Sequence, residues 1–197
     1  MPEKLDLFTS EGNRKYLTPD ERKAFIAAAL ELPERHERTF ALTLAHSGCR
    51  ISEALAMDYR RIDMKAGQLV VQSLKKRDGK AHHRAVPVPP EYLAALDLVH
   101  DVRGNQKRPR KRSDRLWPVS RMTAYRWIVK TMELAGIDGP MAKPHGLRHG
   151  FGVLAMMKEI PLPLVQRWMG HADLETTAIY LQVVGNEEAS FAGRLWE

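Results

Sequence analysis

The chain has 197 residues, a formal net charge of +7 and a sequence pI near 9.6; 44% of its residues are hydrophobic and 28% are charged. This length suffices for one well-packed domain or two small ones, and the composition is that of an ordinary globular protein. The positive charge indicates a polyanionic partner such as nucleic acid, although a basic, solubilising surface explains the charge alone equally well.

Cysteine content and hydropathy exclude two classes of protein. The single cysteine, Cys49, cannot form an intrachain disulfide and fits a reducing compartment. No apolar run reaches the roughly 20 residues that span a bilayer, and the N-terminus lacks a signal-peptide pattern. We therefore expect a cytoplasmic protein that does not enter a membrane.

The first predicted helix follows a polar leader. Residues 1–17 show little periodicity, so we expect them to be loose. A helix then begins at Thr18, whose hydroxyl can cap it, with proline at the first helical position and Glu21 at the third. This helix is predicted to end near Pro33, where a proline cannot continue it.

Two further helices flank Gly48 and Arg50. The apolar pattern of residues 35–47 predicts a core-facing helix, for which Gly48 is a suitable stop. Ser52 is a candidate cap for a short helix over residues 53–57. Arg50 then lies in a helix junction, which holds its side chain rigidly enough to clamp a phosphate, whereas a lone arginine near a helix end is usually a surface residue.

A β-hairpin is predicted between Gln68 and Val88, because β-branched runs flank a polar Asp-Gly turn. Charged hairpin tips are usually just solvated, but the basic residues here are also candidates for DNA contact. These candidates are Lys76, Arg77, Lys80, His82 and Arg84. The adjacent pair His82 and His83 raises the question of metal ligation, but no carboxylate or cysteine cluster accompanies it, so we expect no metal.

Two elements are predicted between the hairpin and the last third of the chain. Residues 92–102 have the pattern of an amphipathic helix, and residues 103–115 contain seven basic residues with glycine and proline, which predicts a loop. This loop either contacts DNA phosphates or is a solvated connector. Ser120 opens another helix, which ends at Gly136, and Arg121 at its start is a further candidate for DNA contact.

The last third of the chain places polar groups at intervals within an apolar helical pattern. His145 and Arg148 are three residues apart, so a helix projects them from one face. His171 follows a glycine, and Tyr180 comes nine residues later in a predicted helix over residues 174–184. Two imidazoles, a guanidinium and a phenol suit a phosphodiester, because guanidinium groups bind nonbridging oxygens and a hydroxyl can attack phosphorus.

The residues between these groups are predicted to be structural. The helix that carries Arg148 is expected to face the core with Phe151, Leu154 and Met157. We also interpret His149 as a structural residue rather than a catalyst.

These motifs resemble those of the tyrosine recombinases, the phage-integrase family. The resemblance covers residues 16–184 and rests on Gly48-Cys49-Arg50-Ile51-Ser52-Glu53-Ala54-Leu55, on His145-x-x-Arg148, and on Gly170-His171 with Tyr180 downstream. It implies that residues 18–184 form the family's catalytic domain, which is mainly α-helical with a small antiparallel β-hairpin or sheet. Members of this family usually carry a helical domain before it, whereas only residues 1–17 precede it here.

The resemblance also implies a reaction and a role for each residue. Such domains cut and rejoin double-stranded DNA through a 3′-phosphotyrosyl intermediate, without metal, ATP or another cofactor. Tyr180 would be the nucleophile, and Arg50 and Arg148 would hold the nonbridging oxygens. His171 would donate to a nonbridging oxygen, and His145 would orient the phosphate or accept the Tyr180 proton.

Two assignments by resemblance concern the hairpin and the first arginine motif. Lys75 best matches the lysine that protonates the leaving 5′ oxygen, and Lys76 is the alternative. Glu53 matches a carboxylate that supports the site or caps a helix.

Alternatives to a site-specific recombinase are a type IB topoisomerase and a DNA-binding module that has lost activity. His145 argues against the first, because topoisomerases usually replace this histidine, and the complete catalytic set argues against the second. Recombination implies a homo-oligomer on DNA, a tetrameric synapse. We expect residues 185–197, with apolar side chains at helical spacing, to form a tail helix that docks on a neighbouring protomer in trans, or else packs in cis.

Overall fold

The computed structural model describes residues 6–74 and 82–183 of the chain. In this part of the chain the fold is mainly α-helical with one small antiparallel sheet, as the sequence predicts, and two 3₁₀ turns span Tyr59–Arg61 and Ile179–Val183. The strands are β1 (Ile62–Asp63), β2 (Gln68–Ser73) and β3 (His82–Pro87). The helices are α1 (Pro19–Glu31), α2 (Arg35–Ser47), α3 (Ile51–Leu55), α4 (Pro90–His100), α5 (Val102–Gln106), α6 (Arg121–Leu134), α7 (Pro144–Met157), α8 (Leu162–Met169) and α9 (Glu175–Ala178).

The ends of α1 and α2 follow from local chemistry. The Thr18 hydroxyl accepts a hydrogen bond from the Glu21 amide at 3.2 Å, and the Glu21 carboxylate accepts one from the Thr18 amide at 2.9 Å. Gly48 ends α2 with a φ of 59°, in the left-handed region that favours glycine. A Cβ at this position would lie 2.6 Å from the ring of Phe151, so the same glycine also lets α7 approach α2.

α3 begins earlier than predicted. Its N-cap is Arg50 rather than Ser52, because the Glu53 carboxylate accepts a hydrogen bond from the Arg50 amide at 2.9 Å. The role of Glu53 as a helix cap is therefore confirmed. A carboxylate in the first turn also interacts favourably with the helix dipole.

The sheet has the strand order β1-β2-β3, with both pairs antiparallel. The hairpin of β2 and β3 is confirmed, whereas β1 was not predicted because two residues are too short to show an alternating pattern. Leu69 pairs with Val86 and Val71 pairs with Arg84, and all four side chains are buried on one face. The hairpin residues 75–81 lie outside the described residues.

α2 is the central helix of the main core and packs against α1, α4, α6 and α7. Phe40 on α2 meets Trp117 and Trp127 edge to face, with ring centroids 5.3 and 5.7 Å apart. A second, smaller apolar cluster joins α7, α8 and the last 3₁₀ turn, and it contains the side chain of Tyr180. None of the described helices has both the length and the apolarity needed to cross a bilayer.

The expectation of a loose leader is wrong for residues 6–17. Leu7 is fully buried in the second cluster, Leu17 is buried in the main core, and Phe8 forms an antiparallel bridge with Arg14. Phe8 and Tyr16 also pack against the second cluster. The polar residues between these anchors concealed the packing.

Two helical predictions also need correction. α7 faces the core with Leu147, Val153 and Met156, whereas Met157 is exposed, because α7 packs on two sides, against α2 and against the last 3₁₀ turn. Residues 103–106 belong to α5 rather than to a loop. The side-chain amide of Gln106 anchors α5 by donating to two backbone carbonyls near β1.

Candidate active site

Arg148 lies in the first turns of α7 and is buried, with 4% of its surface exposed. Its Nη1 donates to the carbonyl of Gly48 at 2.7 Å, and its Nη2 donates to the carbonyl of Met169 at 2.6 Å. These carbonyls lie at the C-terminal ends of α2 and α8, where the helix dipole favours a cation. Burial, together with the nearby charge of Arg50, lowers the pKa of Arg148 to about 10, so the group is still charged at neutral pH.

Arg50 is the N-cap of α3, and 34% of its side-chain surface is exposed. Its Nη1 donates to the Glu53 carboxylate at 3.2 Å. Glu53 is buried and also pairs with Arg84 of β3, at 2.6 Å from Nη2 and 3.3 Å from Nη1. A single carboxylate therefore orients Arg50, whose side chain stays partly open to solvent.

Tyr180 lies in the last 3₁₀ turn and its side chain is completely buried. The ring packs against Gly152 of α7, where a Cβ would lie 2.6 Å from ring carbons, so only glycine admits the ring in this position. Burial raises the pKa of Tyr180 to about 12, although the positive charges of Arg148 and Arg50 act in the opposite direction. The hydroxyl is therefore protonated at neutral pH.

The hydroxyl of Tyr180 meets Nδ1 of His149 at 3.1 Å. Burial and the nearby His145 and Arg148 lower the pKa of His149 to about 3, so the ring is neutral at pH 7. A neutral imidazole with its proton on Nε2 can accept a hydrogen bond from the phenol at Nδ1. His149 thus contacts the oxygen that would attack phosphorus.

His171 follows Gly170, which ends α8 with a φ of 64°. Its ring stacks on that of Tyr180, with centroids 6.2 Å apart and planes 15° apart. Nδ1 lies 2.9 Å from the Thr177 hydroxyl, while the buried Nε2 has no hydrogen-bond partner among the described residues. If Thr177 donates to Nδ1, Nε2 carries the proton and can donate to an anionic oxygen.

Burial lowers the pKa of His171 to about 3, and Arg148 and Arg50 add to the shift. An unpartnered buried nitrogen surrounded by positive charge favours an anion, since a phosphate would supply both a hydrogen-bond acceptor and a countercharge.

His145 stands at the start of α7 and is exposed, with its ring centroid 6.3 Å from that of His149. Desolvation and the charges of Arg148 and Arg50 lower the pKa of His145. Among the described contacts, His149 rather than His145 reaches the Tyr180 hydroxyl. The interpretation of His149 as a structural residue stays a prediction, and its contact with Tyr180 makes it a second candidate beside His145, with which it shares a helix face four residues on.

The structure contradicts the expectation that Arg84 contacts DNA. Arg84 is buried, with 7% of its surface exposed, and its Nε donates to the carbonyl of Trp168 at 2.7 Å while the rest of the guanidinium pairs with Glu53. Basic composition alone suggested an outward-facing side chain. The period-two pattern indicated the opposite, because Arg84 shares a strand face with the apolar Val86.

Of the remaining residues predicted to act at the DNA, the structure describes two and leaves four outside the described residues. His82 and Arg121 are exposed, so contact of both with DNA stays a prediction. Four candidates lie outside the described residues and stay predictions: Lys75, Lys76, Arg77 and Lys80. Within residues 6–74 and 82–183, no three histidine, cysteine or carboxylate side chains are grouped so that they could hold a metal ion.

Sequence relatives of this chain include proteins named as a resolvase and as tyrosine recombinases. It is 28% identical over 202 residues to a resolvase of Escherichia coli K12, with 89% of this chain and 74% of the resolvase covered. It is 29% identical over 173 residues to a tyrosine recombinase of Thermosipho africanus, with 88% and 59% covered. For the tyrosine recombinase XerD of Pseudomonas putida the identity is 29% over 174 residues, with 82% and 56% covered. The chain thus spans under two thirds of the two named tyrosine recombinases.

Solved structures share the fold. The XerA recombinase has a TM-score of 0.69 at 24% identity, with 88% of this chain and 65% of that chain covered. The XerH site-specific recombinase bound to its difH substrate has a TM-score of 0.73 at 20% identity, with 96% and 60% covered. The catalytic domain of bacteriophage HP1 integrase has a TM-score of 0.64 at 20% identity, with 85% and 86% covered.

The phage integrase family model matches residues 15–187, which is most of the chain. The arrangement of arginines, histidines and tyrosine described above falls within this range. The chain belongs to the phage integrase family and carries a tyrosine recombinase catalytic domain.

Proposed function

We propose that this chain is a site-specific DNA recombinase that cuts and rejoins duplex DNA through a 3′-phosphotyrosyl intermediate. The observation that carries the proposal is the convergence of four functional side chains from distant parts of the sequence. The four are Arg50 at the start of α3, Arg148 on α7, His171 between α8 and α9, and Tyr180 on the last 3₁₀ turn. The relatives named as recombinases, and the XerH structure with its DNA substrate, support the same conclusion.

In the cleavage step the Tyr180 oxygen forms a bond to phosphorus and the bond to the 5′ oxygen breaks. The leaving oxygen gains a proton, which we assign to Lys75, and the phenol loses its own proton. One phosphodiester is exchanged for another, so a second 5′-hydroxyl can reverse the step without ATP. Negative charge grows on the nonbridging oxygens in the transition state, where preorganised donors are most effective.

Arg148, Arg50 and His171 supply those donors. Arg148 is fixed by two backbone carbonyls, so it meets the phosphate without reorganisation. Arg50 presents its exposed side to the same phosphate, and the unpartnered Nε2 of His171 donates to an oxygen. His145, exposed beside them, orients the phosphate.

The group in contact with the Tyr180 hydroxyl is His149 rather than His145, so we assign the phenol proton to His149. The pKa of Tyr180 is raised to about 12 and that of His149 is lowered to about 3 in the free protein, so the transfer requires the negative charge of a bound phosphate to raise the pKa of His149. Tyr180 is fully buried, so the 3₁₀ turn shifts to admit the phosphate when DNA binds.

Strand exchange joins ends from two duplexes, and the proposal therefore includes a tetrameric synapse of protomers on DNA. Residues 185–197, the expected tail helix, would dock in trans on a neighbouring protomer. This segment lies outside the described residues. A truncation at residue 184 distinguishes docking in trans from packing in cis, because only docking in trans makes assembly depend on the tail.

A suicide substrate, with a nick just beyond the scissile phosphate, tests the proposed function. After cleavage the short 5′-hydroxyl fragment diffuses away and the protein stays attached to a 3′ end. We expect this adduct to form in EDTA, and to be detected as a band of reduced mobility on a denaturing gel. Cleavage that needs a divalent cation and leaves a 5′-phosphate would contradict the proposal, as would DNA binding without any adduct.

A further inference from the structure

A buried ion pair lies behind the site, between Glu53 of α3 and Arg84 of β3. Their side chains are 1% and 5% exposed, and the guanidinium contacts both carboxylate oxygens. Burial acts to raise the pKa of Glu53, but pairing with Arg84 and the hydrogen bond from the Arg50 amide outweigh burial, so the pKa lies below its ordinary value and the carboxylate stays ionised.

The pair is connected to the site on both sides. Glu53 accepts from the amide of Arg50 at 2.9 Å and from its guanidinium at 3.2 Å. On the other side, Nε of Arg84 donates to the carbonyl of Trp168 at 2.7 Å. The guanidinium also lies against Gly170, where a Cβ would be 2.8 Å from Nη1. One side chain of the sheet thus links the arginine on α3 to the turn that precedes His171.

Stability alone is a weak explanation for this arrangement. Removing two ions from water costs several kcal/mol each, and apolar residues of similar volume often stabilise a protein as well or better. What an apolar pair cannot do is fix orientation, because only the planar guanidinium donates in fixed directions to a carboxylate and a carbonyl at once.

We propose that Arg84 is a positioning residue for the phosphate site, which fixes Arg50 through Glu53 and fixes the His171 turn through the Trp168 carbonyl and Gly170. This inference rests on the recombinase function proposed above. Errors of about 1 Å in the placement of groups at a reacting centre cost roughly 100-fold in rate. Arg84 therefore affects the chemical step without touching the DNA.

The test compares Arg84→Lys with the wild-type protein in single-turnover cleavage of a suicide substrate. Lysine keeps the charge but donates from one point, so it cannot hold Glu53 and the Trp168 carbonyl together. In this experiment the amplitude reports the fraction of folded, active protein, and the rate constant reports the chemical step. We expect the rate constant to fall about 10- to 100-fold while the affinity for DNA stays unchanged.

A second substrate separates positioning from folding. A methylphosphonate at the scissile position has no charge, so it depends less on Arg50 to neutralise developing negative charge. The defect of Arg84→Lys should therefore shrink on this substrate, as should that of Arg50→Ala. Arg60→Met is the matched control, because Arg60 pairs with the buried Asp58 near the sheet but has no described contact with the site. Its rate constants should equal those of the wild-type protein.

Three results for Arg84→Lys would overturn the proposal. In the first, the rate constant is unchanged while the amplitude falls equally on both substrates. In the second, the rate constant falls equally on both substrates, and in the third neither quantity changes. The first would show that Arg84 only stabilises the fold. A wild-type protein that forms no adduct would instead refute the recombinase function itself, so the two failures are distinguishable.

Discussion

The two arginines of the site are held in opposite ways. Arg148 is buried and donates to two backbone carbonyls, whereas Arg50 is a third exposed and depends on one carboxylate, Glu53. The carbonyls cannot move unless α2 and α8 move, but the carboxylate can be misplaced through its own partner, Arg84. The orientation of Arg148 is thus built into the backbone, while that of Arg50 rests on a chain of side chains.

We expect the largest effect from a substitution of Arg148. In Arg148→Ala, the buried carbonyls of Gly48 and Met169 each lose a donor, at a cost of about 1–3 kcal/mol each. Since the same arginine also faces the phosphate, we expect the loss of cleavage together with a lower free energy of unfolding. Urea denaturation and single-turnover cleavage measure the two effects, and a variant as stable as the wild-type protein would contradict the structural role.

Arg50→Ala should separate the two effects. The Arg50–Glu53 pair is partly exposed, so its loss should cost no more than about 1 kcal/mol of stability. Loss of a donor to the developing charge should slow cleavage by about 100- to 1,000-fold. The same two assays apply here. A loss of stability equal to that of Arg148→Ala would remove the distinction between the two arginines.

His149 lies on the buried side of the site, in contact with the Tyr180 hydroxyl. His149→Phe removes the acceptor for the Tyr180 hydroxyl, and we expect cleavage to slow by about 100-fold or more with DNA binding retained. His149→Asn is the matched variant, because an amide places a polar atom near the position of Nδ1 and should recover part of the rate. The pH profile of the rate constant reports the difference. If both variants cleave at the wild-type rate, the contact has no role in catalysis.

The stability of the fold should also depend on pH. His149 and His171 both have a pKa of about 3 in the fold, below the value of about 6.5 in an unfolded chain. The unfolded state therefore binds more protons between pH 3 and 6.5, and stability is full above this window and lost as the pH falls through it. Urea denaturation at pH 7 and pH 5 should show this loss, and His149→Asn should reduce it.

Local elements of the fold could be predicted because local chemistry determines them. The capping box at Thr18, the left-handed glycine at Gly48 and the cap at Ser120 each depend on side chains within a few residues. The hairpin likewise follows from two β-branched runs that flank a polar turn. The packing of residues 6–17 could not be predicted, because its anchors contact elements far along the chain.

The site residues likewise divide into those that sequence motifs identify and those that only tertiary contacts identify. The order and spacing of the family motifs identify Arg148 and Tyr180 as candidates, and the structure brings them together. The partners that hold these groups are tertiary: Glu53 and Arg84 are 31 residues apart, as are His149 and Tyr180. Composition suggested that Arg84 faces DNA, whereas its pairing with Glu53 and its hydrogen bond to the Trp168 carbonyl hold it in the interior.

In the proposed reaction Tyr180 becomes covalently linked to DNA, and the position of that link can be measured. Protein trapped on a suicide substrate would be digested with nuclease and trypsin and examined by mass spectrometry. Cleavage after Arg167 and Arg194 gives a peptide, residues 168–194, in which Tyr180 is the only tyrosine. We predict a residual nucleotide on this peptide and its absence in Tyr180→Phe. A nucleotide on a peptide that contains any other tyrosine would contradict the account.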